Sequence, residues 1–527
     1  MTRKHLYFGI FVLILAWFGK DGQASGISGG VPAPVQLTTA NANNNRDGWF
    51  SNEMILNPSN VAGGHFGKLF TWSLLTGRVN AQVLIAPGIT TGGVQRDLLI
   101  VTTMGGSIYA FDANNFSANP VWTATMPSGF ADSDGLLYNE VVACLSTPVI
   151  DLPNSLLYAV CATSTPVWTL YKIHLSTGVT VNSVAISGQY PGTGDPMGGD
   201  TVIGGQLQFK PNSELQRAAL TLANGNVYIG FGSFADARPW HGWVFSYKQS
   251  DLSQQAVFCA SPSSYGSGFW GSGAGFSLDA SGNLYVFLGN GHYDGLTAWG
   301  FTIMKLSPGL LVLDWFTPSN WATLETNDSD LSSSRAMLMT TANGSTLLVG
   351  GAKDFRVYVV DSACMGHLQG SGSGCTAPQL FLTNAGTPGS HVGIYGGAFA
   401  ANTVFMPNTG GNLYAYAFSP STGLFNTTPV ASSSTFAFPG AHPSYSSNGN
   451  FNGILWATTA ASSAENSAQA GTLRAFNPVT MAELYNSDAQ GGDTLGQLNK
   501  FNPPTVWNGK VFVGSGSNVV VYGLGAR

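Results

Sequence analysis

The sequence predicts an all-β fold, an eight-bladed β-propeller with four antiparallel strands per blade. Three observations lead there. Charged residues are only 9 % of the chain and glycine occurs 68 times, a composition that gives helices no solvent face and suits short strands joined by tight turns. One strand–loop–strand pattern recurs eight times. A further strand-like segment, Lys68-Leu69-Phe70-Thr71-Trp72-Ser73, precedes the first copy and has no partner beside it.

The eight copies run as follows. Leu98-Leu99-Ile100-Val101 leads to Ser107-Ile108-Tyr109-Ala110-Phe111-Asp112, and Leu156-Leu157-Tyr158 to Leu170-Tyr171-Lys172-Ile173. Val227-Tyr228-Ile229-Gly230 leads to Trp243-Val244-Phe245, and Leu284-Tyr285-Val286 to Thr302-Ile303-Met304. Leu347-Leu348-Val349 leads to Arg356-Val357-Tyr358-Val359, and Val404-Phe405-Met406 to Asn412-Leu413-Tyr414-Ala415-Tyr416. Ile454-Leu455-Trp456 leads to Leu473-Arg474-Ala475-Phe476, and Val511-Phe512-Val513 to Val519-Val520-Val521-Tyr522. The starts lie 50 to 71 residues apart, room for four strands each. A single four-stranded sheet cannot bury both faces, so neighbours must stack. The last copy ends close to the C-terminus and lacks an outer strand. Lys68–Ser73 is expected to supply it, completing the last blade and removing an exposed edge.

The N-terminus reads as a signal peptide over residues 1–24. Arg3, Lys4 and His5 form a positive region, Leu6 to Phe18 an apolar stretch, and Gly22-Gln23-Ala24 a small-x-small cleavage site before Ser25. The expected organisation is then an N-terminal extension over 25–65 and one propeller domain over 66–527. The expected location is secreted, extracellular or periplasmic, with no membrane span after signal removal. The chain is expected to be a monomer. The net charge is −6 with no basic run, so nucleic acid is excluded as a partner.

All five cysteines lie beyond the signal. Cys144 and Cys161 flank the turn Asp151-Leu152-Pro153-Asn154 and fall opposite each other on antiparallel strands, within disulfide reach. Cys364 and Cys375 bracket a Gly/Ser loop and form the second expected pair, which leaves Cys259 as a buried thiol. No haem-attachment motif, zinc spacing, GxSxG, HExxH or P-loop occurs.

Units such as Gly105-Gly106-Ser107-Ile108-Tyr109-Ala110-Phe111-Asp112 resemble the repeats of pyrroloquinoline-quinone (PQQ) propellers. Arg46-Asp47-Gly48, Leu56-Asn57-Pro58-Ser59-Asn60-Val61 and Phe66-Gly67-Lys68-Leu69-Phe70 resemble the opening of secreted PQQ-like repeat proteins, the quinoprotein alcohol dehydrogenase-like group. The resemblance spans nearly the whole mature chain and implies PQQ and calcium as candidate cofactors. It does not decide activity, because the superfamily mixes dehydrogenases with non-catalytic scaffolds. The adjacent cysteines whose ring packs on the quinone in the dehydrogenases have no counterpart here, since the sequence holds no Cys-Cys pair.

In a propeller, the loops entering each innermost strand and the loops joining second and third strands ring one mouth of the central channel. Scarce polar and charged residues fall in both sets. The first set holds Gln216-Arg217, Phe269-Trp270, Ser334-Arg335, His391, His442 and Lys500. The second holds Asp236, Arg238 and His241, then Asn290, His292 and Asp294, then Lys353 and Asp354, with His65 a less secure addition. Arg and Lys there suit an anion, His and Asp suit proton transfer, and Trp270 offers a flat face to a ring. Asn290, His292 and Asp294 are a candidate calcium or transition-metal set. The alternative is that these side chains only pair with one another. Three functions follow: a binding or scaffold module, which the missing cysteine pair favours; a PQQ-dependent oxidoreductase acting on alcohols or sugars; and a carbohydrate-binding propeller, suggested by 12 % aromatic residues.

Overall fold

In a computed structural model of the chain, residues 37–73, 75–132, 137–383, 392–465 and 467–525 are described. The signal-peptide segment 1–24 and His391 lie outside them. The described chain is almost entirely β, and no helix among the described residues is long and apolar enough to cross a membrane.

Among the described residues, eight sheets of four or more strands follow one another along the sequence, antiparallel apart from the parallel pairings of Trp49–Phe50 with His442–Asn448 and of His367–Leu368 with Val312–Thr317. Sheet I is Leu84–Thr91, Val94–Thr102, Ser107–Asp112 and Trp122–Thr125. Sheet II is Val149–Asp151, Leu156–Ala162, Trp168–His174 and Thr180–Ala185; sheet III is Thr221–Ala223, Asn226–Gly230, Trp243–Lys248 and Gln254–Cys259. Sheet IV opens at Ser277–Leu278, V at Met337–Thr340, VI at Ala398–Ala400 and VII at His442–Asn448. Sheet VIII is Thr505–Trp507, Lys510–Ser515 and Asn518–Leu524, with Phe66–Trp72 as its fourth strand. That strand runs antiparallel to the C-terminal one, with Phe66 opposite Leu524 and Trp72 opposite Val519.

The apolar runs in the second strands reflect burial on both faces. Successive side chains point to opposite sides of a strand, so Leu98 and Ile100 pack with Leu157 and Ala159 of sheet II. Leu99 and Val101 point to the other face, into a cluster that includes Val513 of sheet VIII. The same apolar layer lies between sheets II and III, III and IV, IV and V, V and VI, and VI and VII.

Residues 37–50 lace past the first strands. The carbonyls of Leu37, Thr38, Asn44, Asn45, Asp47 and Gly48 accept the N–H groups of Ile85, Ile150, Leu278, Leu338, Phe399 and Tyr445, one each from sheets I, II, IV, V, VI and VII. Sheet III is held by the wholly buried Arg46. Its guanidinium donates to Thr221 Oγ1 at 2.7 Å and the Leu220 carbonyl at 3.4 Å, and also to Thr39 Oγ1, the Ala40 carbonyl and the Phe276 carbonyl. First-strand N–H groups that would otherwise be orphaned are satisfied in this way.

Cys144 and Cys161 are bonded, with Cα atoms 4.2 Å apart, as are Cys364 and Cys375 at 5.8 Å. Cys259 is free and buried.

Candidate functional site

Loops into the first strands of sheets III to VIII meet loops between second and third strands in two adjoining cavities. The outer one, the mouth, holds about 310 Å3. The inner one, the throat, holds about 30 Å3. Arg217, Tyr395, Lys500 and Phe501 line both.

The shared wall is built on Phe501, which has a φ of +65°, a conformation an ordinary side chain adopts only when its surroundings impose it. Its ring stacks on Tyr395 at 5.4 Å and meets the edge of Trp270 at 5.9 Å, while the Arg217 guanidinium lies 4.7 Å from its centroid. Its N–H donates to His442 Nε2 at 3.1 Å. Burial pushes His442 down to about 3, helped by Arg335 and Arg217, so the imidazole is neutral at pH 7. Burial also lowers Lys500 to about 7, with Arg217 adding repulsion. Its ammonium donates to the Glu465 carbonyl at 3.2 Å and lies 4.7 Å from the Tyr138 ring centroid.

The opposite side of the mouth is acidic. Asp236, Asp328 and Asp330 surround the ammonium of Lys353, which reaches Asp330 Oδ2 at 2.6 Å and Asp328 Oδ2 at 3.1 Å. The Asn290 amide donates to Asp236 Oδ2 at 3.2 Å and Asp328 Oδ1 at 3.4 Å, its backbone N–H donates to Asp330 Oδ1 at 2.7 Å, and Ser233 Oγ donates to Asp236 Oδ1. All six carboxylate oxygens therefore have donors. Against the burial that would lower it, Asp330 and then Asp328 hold Lys353 above the ordinary lysine range. Burial, with repulsion from Asp330, raises Asp328 to about 6.

Of the sequence-derived candidates, Arg217, Trp270, Asp236, Lys353 and Lys500 line the mouth; Arg217, Arg335, His442 and Lys500 line the throat. Several candidates are on neither wall. Arg238 is drawn off by an ion pair with Asp195 and lies over the Tyr265 ring. His241 is buried against Asp200, 3.1 Å from its Nε2, and the Ser261 carbonyl, 2.8 Å from its Nδ1. Nor do the three candidate metal ligands share a focus. Asn290 serves the acidic cluster, His292 packs on Trp321, and Asp294 accepts from Leu296, Thr297 and Ala298 of its own turn. Among the described residues no group of three His, Cys, Asp or Glu side chains is placed to hold a metal. Asp354 accepts from Arg356 and Tyr358 and is also off the wall. Sequence reading did not find Tyr395, Phe501, Asp328 or Asp330. The last two lie in the same first-strand loop as Arg335, which was the available signal.

No protein-family model matches the chain, and no curated protein is significantly similar to it in sequence. Solved structures do match in fold. A quinohemoprotein alcohol dehydrogenase from Pseudomonas putida HK5 superposes with a TM-score of 0.62 at 13 % identity, over 94 % of this chain and 81 % of that one. The quinohemoprotein alcohol dehydrogenase of Comamonas testosteroni gives 0.61 at 13 % identity, with the same coverage. At such identity the likeness shows the fold alone, a β-propeller.

Proposed function

We propose that the chain is a secreted binding propeller whose mouth holds a small ring-bearing molecule. In this reading the eight sheets are blades of one closed ring over residues 66–527, Phe66–Trp72 is the outer strand of the last blade, and the monomer acts alone once residues 1–24 are removed. One observation carries the function. The 310 Å3 mouth presents Trp270, Tyr395, Phe438 and Phe501 to a ring, with Arg217 and Lys500 lining it alongside the carboxylates of Asp236, Asp328 and Asp330. A cavity of that size with a few polar groups is what a small-molecule site requires.

PQQ and calcium are the cofactors the resemblance implies. Calcium needs several free oxygen ligands. In the acidic cluster all six oxygens already take donors, and the Lys353 ammonium occupies the centre. The residues do not fit a resident divalent ion, and no redox step is derived from them.

Tryptophan fluorescence of the purified chain, titrated with PQQ with and without calcium and with a panel of sugars and aromatic acids, tests the reading. Saturable quenching that Trp270→Ala abolishes, without dye reduction on adding ethanol or glucose, is the expected result. Dye reduction would establish the oxidoreductase instead, and a response confined to sugars the carbohydrate-binding alternative. No response to any probe would overturn the binding site.

A further inference from the structure

Two aromatic residues of the mouth wall come from different sheets and are held by a third residue that the mouth does not show. Tyr395 lies in the loop before sheet VI and Phe501 in the loop before sheet VIII, and their rings stack with centroids 5.4 Å apart. His442 opens the first strand of sheet VII, between them in the sequence. Its Nε2 accepts the Phe501 N–H at 3.1 Å. The ring proton of the neutral imidazole therefore sits on Nδ1, and a hydrogen bond to the Tyr395 backbone supports that side of the ring. The imidazole also meets the Phe501 ring edge-on, with centroids 5.6 Å apart. His442 thus touches both halves of the stacked pair. Yet it is only 3 % exposed, and it lines the throat and not the mouth. A molecule seated in the mouth does not reach it.

Phe501 needs such a hold. Its φ of +65° is a conformation that a bulky side chain adopts only under constraint. The loop around it is pinned on both sides. The Asn499 amide donates to the Val79 and Gly516 carbonyls at 2.8 and 3.0 Å, and the Asn502 amide to the Val79 and Ala81 carbonyls at 2.7 and 3.1 Å. The Asn502 carbonyl accepts from Thr458 Oγ1 at 3.0 Å. These bonds fix where the loop passes, and the bond to His442 fixes how the peptide between them is turned. A part-buried N–H that lost its acceptor would gain by turning toward water, and the ring would swing off Tyr395 with it. The edge of Trp270 and the Arg217 guanidinium rest on the same Phe501 ring. Loops before sheets III, IV, VI and VIII therefore meet on one residue whose orientation His442 sets.

We infer that His442 is the positioning residue of the mouth: by holding the Phe501 N–H and the Tyr395 backbone on its two ring nitrogens, it sets the stacked Tyr395–Phe501 pair as the surface against which a ring is bound. This rests on the reading of the mouth as a site for a ring-bearing molecule.

The test compares His442→Leu with His442→Gln in the full mature chain. Leucine removes both bonds; glutamine keeps an acceptor and a donor on one amide. Affinity for PQQ at pH 7, read by tryptophan quenching, should fall about tenfold in His442→Leu and return to within about threefold of the parent in His442→Gln. Crystal structures should show the positive φ of Phe501 and its stacking on Tyr395 lost in the first variant and kept in the second. Parent affinity in His442→Leu, or an equal loss in both variants, would overturn the inference. A parent that does not respond to PQQ speaks against the mouth as a site for it, not against the clamp. The crystal structures then decide, and an undisturbed Phe501–Tyr395 pair in His442→Leu overturns the positioning role. Should His442→Leu not fold, His442→Asn, whose amide is too short to serve both groups, takes its place with the same expected loss.

Discussion

The Nε of Arg335 donates to the backbone carbonyl of Arg46 at 2.7 Å, joining the throat to the segment laced across the first strands. Arg46 in turn places all its N–H groups on oxygens of sheet III, its own segment and the Phe276 carbonyl. Arg46→Met removes these donors and leaves buried carbonyl and hydroxyl oxygens unpaired. Each such loss costs about 1–3 kcal/mol, so the variant should lose at least ~3 kcal/mol, read as a lower urea midpoint. A midpoint within ~0.5 kcal/mol of the parent would show that the lacing carries no stability.

Removing residues 25–75 strips Phe66–Trp72 from the Asn518–Leu524 strand and exposes a seven-residue edge. Exposed edges of that length recruit other chains. The truncated chain should aggregate in light scattering and melt below the parent. A soluble truncation with an unchanged melt would refute this account of the last sheet.

Non-reducing peptide mapping should recover Cys144 joined to Cys161 and Cys364 joined to Cys375. The Cys144–Cys161 bridge closes a separation of 17 residues, so Cys144→Ala with Cys161→Ala should cost about 3 kcal/mol. Burial raises the Cys259 thiol well above its ordinary range. It should therefore resist alkylation until the chain is unfolded. Labelling in native buffer would contradict the packing around it.

His442 gives a pH dependence of defined sign. Its folded value of about 3 lies below the unfolded value of 6.5, so between those limits the unfolded chain binds the extra proton. Stability from this residue is whole above pH 6.5 and falls on acidification toward pH 3, by at most about 1.4 kcal/mol per pH unit. Asp47, raised by burial to about 7, has the opposite slope between pH 4 and 7. His442→Gln should therefore flatten or reverse the acid limb of the stability profile. An unchanged limb would place the buried imidazole's protonation elsewhere.

The sequence by itself determined the repeat. Apolar second strands such as Leu98–Val101, glycine-rich turns and scarce charge leave stacked sheets as the way to bury such strands on both faces. It also pointed to Phe66–Trp72 as a strand awaiting a partner, because an unpaired strand beside a three-stranded last unit has one economical solution. Arg217, Trp270, His442 and Lys500 were legible as site candidates for a related reason: in a chain with 9 % charge, polar residues recurring at one loop position stand out. What only the tertiary structure decided is which of these residues share a wall. Arg238 and His241 sit in the expected loop yet are captured by Asp195 and Asp200, from an insertion that neither the repeat nor its spacing connects to them. Phe501 and Tyr395 gave no signal, since an aromatic residue in a β-rich chain reads as core until its backbone conformation and neighbours are known. Which residues fall to the mouth and which to the throat is likewise a property of distances across different sheets. Strand periodicity fixes which way a side chain points along its own strand, and the stacking of sheets fixes what it meets.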